Sequence, residues 1–389
     1  MKRENRRDRW AVLAAGMGAQ SVYSAVTFGV AVLAPELRVQ YGLSLSEVGL
    51  ALASLSFGQM VALLPLGLLA DRFGEGLVTA AGLAASGAAI AGVAFAPGFG
   101  SFLVLLALAG LCGAGVNAAT GRAIMGWFSH GERGLALGVR QTAAPMGGAA
   151  GAFVLPAIIH AGGTRWAFLV LAAACSVGAG GAAVWLREPT RRDDSESHSQ
   201  SRRHPLRDGR IWRLSSAGAL LLGANTAMLG FAVLFLQGAR GFSDGGAAAV
   251  LGSMHVLGGA LRIAAGRWSD LVGSRLRPMR LLTCAVALSL GLAAALVHAP
   301  APLLIVAMIV AGGLSMSWNG LAFTAAAEVA GRDRSGAALG LQQTALAVSG
   351  FVTPIVFALL VDAMSWGVGF ALAALCPLAG LYLVRGLDV

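Results

Sequence analysis

Apolar residues along this chain come in long blocks, and polar residues collect at the seams between them. Blocks lie near 11–34, 46–70, 77–96, 102–125, 135–159 and 166–186. After a polar stretch, six more lie near 214–236, 246–266, 281–298, 302–326, 336–361 and 367–384. Each approaches the roughly 20 residues a helix needs to cross a bilayer's hydrocarbon core. The pattern predicts twelve spanning helices and no strands. Seams such as Ala96-Pro97-Gly98 and His298-Ala299-Pro300 carry turn chemistry. The run from Trp10 to Ala34 is too long for a cleaved signal segment and reads as the first span.

The stretch 187–213 breaks the pattern. It holds eight Arg and five acidic residues and almost nothing apolar, which predicts a solvated linker. The expected organisation is therefore a tail at 1–10, a six-helix bundle at 11–186, the linker at 187–213, a second bundle at 214–384 and a tail at 385–389.

Composition agrees. The 389 residues are 57% hydrophobic and 12% charged, against about 25% charged in a soluble domain. A water-soluble chain of this kind has too few polar groups to cover its surface. The net charge of +10 does not point to nucleic acid, because the basic residues sit between apolar blocks rather than in an aromatic-laced patch. They report orientation instead. With the N-terminus in the cytoplasm, the outer loops hold only Arg38, Arg165 and Arg240, while Arg122, Arg140 and Arg262 fall within spans. The remaining basic residues are cytoplasmic, which predicts both termini inside. Cys112, Cys175, Cys284 and Cys376 all lie in apolar blocks without metal-ligand spacing, and read as small buried hydrophobes.

The two halves repeat. Gly67-Leu68-Leu69-Ala70-Asp71-Arg72-Phe73-Gly74 ends the second block, and Gly266-Arg267-Trp268-Ser269-Asp270-Leu271-Val272-Gly273-Ser274-Arg275 ends the eighth, 199 positions on (71 to 270). Ala136-Leu137-Gly138-Val139-Arg140-Gln141-Thr142 returns as Ala338-Leu339-Gly340-Leu341-Gln342-Gln343-Thr344 at an offset of 202 (136 to 338), and Asn117 matches Asn319 at the same offset. The preceding loops, with Arg133 and Arg334, also agree. Such agreement predicts two homologous halves in parallel orientation.

On these residues the chain resembles the major facilitator superfamily of secondary transporters, over nearly its whole length apart from the N-terminal tail and the linker. The family's loop signature, roughly Gly-x-Leu-Ala-Asp-Arg-x-Gly-Arg, is matched by Gly67, Leu69, Ala70, Asp71, Arg72 and Gly74. It departs at Glu75, where the family usually has a basic residue. The family's segment-four Arg is replaced by Ala107. The proline-glycine pattern of many exporters is partly present in Ala144-Pro145-Met146-Gly147-Gly148. The spacing Arg262-x-x-x-Gly266-x-x-x-Asp270 looks like that of several organic-anion carriers in the superfamily. The resemblance implies an all-α membrane protein of two six-helix bundles related by pseudo-two-fold symmetry, working by alternating access around a central site. The expected setting is a cell membrane, that of the bacterial inner membrane, with the chain acting as a monomer.

Ionisable groups at bilayer depth are costly and mark sites. Arg262 lies eight residues before Asp270, about 12 Å along the helix, and His255 lies two turns earlier on the same face. Arg262 suits an anionic substrate and His255 suits proton coupling; the alternatives are a lock on a helix end and an interhelical hydrogen bond. Arg140 and Gln141 either face the cavity from the other half, or Arg140 snorkels or pairs with Asp71 or Glu132. Tyr23, Asn225, Trp318 and Asn319 complete the candidate substrate-binding set. The candidate gating set is Gly67, Asp71, Arg72, Gly74, Gly266, Asp270, Arg133 and Arg334, with Asp71 and Asp270 meeting helix N-termini and loop Arg.

No Asp or Glu lies in the middle of any block. That favours a small organic anion over a cationic drug. A drug or metabolite exporter and a transporter-like sensor remain the alternatives. No catalytic cluster, metal set or phosphate-cradling loop is visible, so neither an enzyme, a metal or other cofactor, nor ATP-driven pumping is expected.

Overall fold

The computed structural model describes residues 4–387, apart from 117–118, 122–126, 129–132, 187–207 and 331–334. Every regular element among the described residues is a helix. They are α1 (Glu4–Tyr41), α2 (Leu45–Phe73), α3 (Glu75–Val93), α4 (Phe99–Gly113), α5 (Arg133–Gln141), α6 (Ala143–Trp185), α7 (Gly209–Gly238), α8 (Asp244–Val272), α9 (Leu276–Ala295), α10 (Ala301–Ser315), α11 (Asn319–Ala330), α12 (Ser335–Ala363) and α13 (Trp366–Val384). Helices answer the physical demand of hydrocarbon, because each satisfies its own backbone polar groups.

Ten stretches among the described residues are long and apolar enough to cross a membrane. The longest, Gly138–Trp185, is 48 residues, about 70 Å at 1.5 Å per residue and so over twice a bilayer core. Gly163, at φ 78° and ψ −178°, breaks it. Dividing it there and adding the shorter apolar α4 reaches the expected twelve.

The chain falls into two compact units, Met1–Leu43 with Leu50–Asp194, and Ser44–Gly49 with Ser195–Val389. In the first, α1 and α3 pack on α6, and α3 packs on α4. In the second, α7 packs on α12 and α13, α8 on α10, and α9 on α13. The short segment Ser44–Gly49 sorts with the second unit because it is held by α12. Ser46 donates its N–H (3.1 Å) and hydroxyl (2.6 Å) to Asp362 Oδ2. A Cβ on Gly49 would lie 2.5 Å from the Pro354 carbonyl oxygen.

The linker expected over 187–213 lies outside the described residues up to 207. From Gly209 the chain is already helical, so α7 starts before the expected 214. Asp208 caps it, accepting from Arg210 N–H at 2.9 Å. Ile211 is 1% exposed and packs with Ala330 and Ala338. The flanking Arg210 and Arg213 make this first turn look like linker in the sequence.

Gly74 and Gly273 explain the repeated loop pattern. Gly74, at φ 88°, separates α2 from α3, and Gly273, at φ 65°, ends α8. Both adopt the left-handed region that a side chain disfavours.

A candidate site at two broken helices

The fourth helix of each half is interrupted at the same place. Helix α4 is 15 residues long and ends at Gly113; α10 is 15 residues long and ends at Ser315, 202 positions later (113 to 315). After α10 the chain makes a turn over 316–318 before α11 begins at Asn319. A helix end presents carbonyl groups with no helical partner, and buried ones must be met by side chains.

In the first unit that task falls to Tyr23. Its hydroxyl donates to the Gly110 carbonyl at 3.3 Å and accepts from Gln59 Nε2 at 2.9 Å. Tyr23 is 5% exposed, and its ring fills the space a Cβ on Gly113 would need, with a ring atom at 2.0 Å. It was expected at a cavity wall; the structure gives its hydroxyl two protein partners and sets it among α1, α2 and α4.

In the second unit the equivalent position is Asn225, again 202 positions on (23 to 225). Its Nδ2 donates to Ser315 Oγ at 2.9 Å, and Ser315 Oγ donates to the Gly312 carbonyl at 2.7 Å. Asn225 therefore serves the same helix end as Tyr23 does, through one extra hydroxyl. Trp318, 1% exposed, donates Nε1–H to the Ser315 carbonyl at 2.8 Å. Arg262 reaches the same turn from α8, donating Nε–H to the Met316 carbonyl at 2.7 Å. A cation at a helix C-terminal end is favoured by the helix dipole as well as by the hydrogen bond. Asn319 is the first residue of α11. Arg262, Asn225, Trp318 and Asn319 thus converge on one helix break.

His255 is fully buried, with Nδ1 2.9 Å from the Leu251 carbonyl one turn back on α8. That contact makes Nδ1 the protonated nitrogen of the neutral ring. Arg140, 5% exposed, gives Nε and Nη2 to Thr120 Oγ1 at 3.2 and 3.0 Å, and Thr120 passes its own proton to the Val116 carbonyl at 2.6 Å. Arg140 was expected to face the cavity, to snorkel, or to pair with Asp71 or Glu132; its described contact is the Thr120 hydroxyl. Glu132 lies outside the described residues. Gln141 closes α5 beside it.

Of the gating set, Gly67 and Asp71 lie within α2, Arg133 opens α5, and Arg334 lies outside the described residues. Arg72 is exposed and rests 5.3 Å from the Phe73 ring. Nothing within 4 Å would meet a Cβ on Gly266. Asp270 was expected to meet loop Arg such as Arg133 and Arg334; it pairs with Arg275 Nη1, which also donates to Ser269 Oγ at 3.0 Å. Arg275 Nε bonds Glu328 at 3.1 Å, stitching α8 to α11. Partial burial pulls the Arg275 pKa down, but the hydrogen bonds to Asp270 and Glu328 outweigh it and raise it. Asp270 and Arg275 stand five positions apart, so the loop closes on itself.

Such paired six-helix halves, built on one repeat and broken alike, match one known family. The family described as Major Facilitator Superfamily fits residues 16–354. The chain belongs to this superfamily. Over 381 residues, 97% of this chain and 84% of the relative, it is 35% identical to the uncharacterized MFS-type transporter Rv2994 of Mycobacterium tuberculosis. It is 27% identical over 368 residues, 86% of this chain and 83% of the relative, to the probable sulfoacetate transporter SauU of Cupriavidus necator. The major facilitator fold is seen in a bacterial homologue of the human lysosomal transporter Spinster in an inward-facing, occupied state. There the TM-score is 0.74 at 14% identity, covering 97% of this chain and 94% of that one. The nucleoside transporter NupG gives 0.73 at 12% identity, covering 96% and 98%. The protein is a multi-pass membrane transporter with bacterial relatives, and its superfamily is one of transporters rather than enzymes.

Proposed function

We propose that this transporter moves a small organic anion across the bacterial inner membrane by alternating access, coupled to protons. It acts as a monomer with both termini in the cytoplasm. The observation that carries the reading is the sign of the charge at depth. Arg262 lies ten residues inside the end of α8, and Arg140 is almost fully buried. The acidic groups of the described helices stand near helix ends, as Glu47, Asp244, Asp270, Glu328 and Asp362 do. A guanidinium at depth costs at least about 2.5–3.5 kcal/mol on insertion scales, and a carboxylate or sulfonate is the partner its planar fork fits. A relative named for sulfoacetate, itself a small organic anion, supports the same class.

Arg262 also supplies a mechanism. Its Nε is bound to Met316, so substrate and helix break share one guanidinium. An anion drawn to Arg262 competes with or reinforces the Met316 contact, and so biases the turn between α10 and α11. His255, two turns along α8 from Arg262, is the candidate proton carrier, as the imidazole that α8 holds at depth. Asp71 is the candidate inner gate.

The test is uptake of organic acids by proteoliposomes under an imposed pH gradient. Arg262→Ala is expected to abolish uptake and Arg262→Lys to restore part of it. His255→Gln is expected to keep counterflow and lose pH-driven accumulation. Asp71→Asn is expected to slow transport while leaving binding intact. Wild-type uptake of every anion tried by Arg262→Ala would remove the basis of the reading.

A further inference from the structure

Helices α7 and α12 meet across Gly218. A Cβ there would lie 3.3 Å from the Trp318 ring, 3.5 Å from Gln342 Nε2 and 3.7 Å from Leu346. Gln342 is fully buried, yet neither its Nε2 nor its Oε1 bonds any group among the described residues. Two more buried polar atoms, on α7 and at the start of α11, share that condition. Ser215, also fully buried, lies one turn before Gly218 on α7, and its hydroxyl is unmatched. One turn further back, Ile211 packs with Ala338, itself one turn before Gln342 on α12. Ser215 therefore lies between two layers of α7–α12 contact. Asn319, next to Trp318, has an unmatched Oδ1. The surroundings are apolar: Leu214, Ala217, Leu221, Leu321 and Leu346 pack with Trp318. A buried amide left unmade is destabilising, and the unmatched Gln342 amide and Ser215 hydroxyl on packed helices call for a ligand.

The geometry points to Gln342 as a specificity-determining residue: with Ser215 and Asn319 it forms a site for a hydroxyl group on the transported anion. This rests on the organic-anion reading above. A hydroxyl both donates and accepts, as the set requires. Gln342 offers a donor and an acceptor, Ser215 offers either, and Asn319 Oδ1 accepts. A methyl group meets none of them, and a carbonyl meets only the donors. Trp318 covers the amide in this conformation. Its backbone lies in the turn 316–318, outside both helices, and moving the ring aside would exchange its Nε1–H bond to the Ser315 carbonyl for room beside the amide. Arg262 holds the Met316 carbonyl of the same turn. A hydroxy acid would place its carboxylate at Arg262 and its hydroxyl at Gln342, engaging both residues that bear on one turn. A bound water offers the same chemistry as a substrate hydroxyl, and matched substrates separate the two.

The experiment compares uptake of malate with succinate, and of lactate with propionate, by wild type, Gln342→Leu and Gln342→Asn in proteoliposomes, with thermal melting of each variant in detergent. Wild type is expected to favour the hydroxylated member by about tenfold or more in kcat/KM. Gln342→Leu fills a similar volume and is expected to melt no lower than wild type. It is expected to lose the preference within each pair, while Gln342→Asn keeps part of it. Organic-acid uptake without preference in wild type, or a preference unchanged in Gln342→Leu, overturns the inference alone and assigns the amide to a resident water. A wild type that moves no organic acid overturns the anion reading and this inference with it.

Discussion

Helix α4 ends at Gly113 and helix α10 ends at Ser315, equivalent points of the two halves. The residue that reaches each end also comes from equivalent points, Tyr23 and Asn225. What differs is charge. The first half closes its break with a phenol and the Gln59 amide, all neutral. The second adds the Arg262 guanidinium on α8, where the first half has Leu63 at the 199 offset (63 to 262). The reverse holds between α5 and α12. Arg140 in the first half is Gln342 in the second. The scaffold of the break is duplicated, whereas its cations are individual. A repeat preserves what packing needs in both halves, and departs from itself where the chemistry is needed once.

The comparison breaks most sharply at Arg262. Truncating a part-buried, hydrogen-bonded charge that a substrate anion also uses costs about 2 kcal/mol or more, so Arg262→Ala is expected to lower kcat/KM for uptake by about 30-fold or more. Leu63→Ala, at the equivalent point, is expected to leave affinity for the anion unchanged.

Second come the glycines on which the broken helices cross their neighbours. A Cβ on Gly110 would lie 1.9 Å from the Leu55 carbonyl oxygen, which is backbone. On Gly312 it would meet the Met254 side chain at 2.6 Å, which is flexible. Gly110→Ala is expected to cost the upper end of the roughly 1–3 kcal/mol of overpacking or more, and Gly312→Ala less. Melting of the two variants in detergent decides, and equal losses would contradict the difference.

Third, Tyr23→Phe leaves both Gly110 and Gln59 without their hydroxyl partner, at about 1–3 kcal/mol. Asn225→Ala is expected to cost about 1 kcal/mol, since Ser315 keeps its bond to Gly312. The smallest effect is expected at Arg275→Ala. Asp270 is 69% exposed and Glu328 45%, and such surface pairs contribute about 0–1 kcal/mol.

Much of the fold is legible in the sequence because lipid imposes it. Block length predicts each span, and the duplicated Gly-x-x-x-Asp-x-x-Gly loop predicts two halves, with Gly74 and Gly273 both at positive φ. The start of α7 is misread because a capped first turn studded with arginines looks like a solvated linker. The site is legible in part. Arg262 stands out as a charge at depth, and Tyr23, Asn225 and Trp318 as polar groups at depth. Nothing in the pattern says that they meet at a helix end, since the break over 316–318 carries no proline and falls inside one apolar block. Gln342 is visible only as the residue replacing Arg140, and its unmatched amide depends on what α7 brings against it.

The sequence by itself determined the medium, the helices, the two-fold repeat and the sign of the charge at depth, because each follows from composition, spacing or offset along one chain. Only the tertiary structure decided which carbonyl Arg262 holds, that Tyr23 and Asn225 do one job in two chemistries, and that the buried Gln342 amide meets no partner among the described residues. Hydrogen-bond satisfaction is a property of neighbours in space, and those neighbours lie as far as 124 positions apart along the chain (218 to 342).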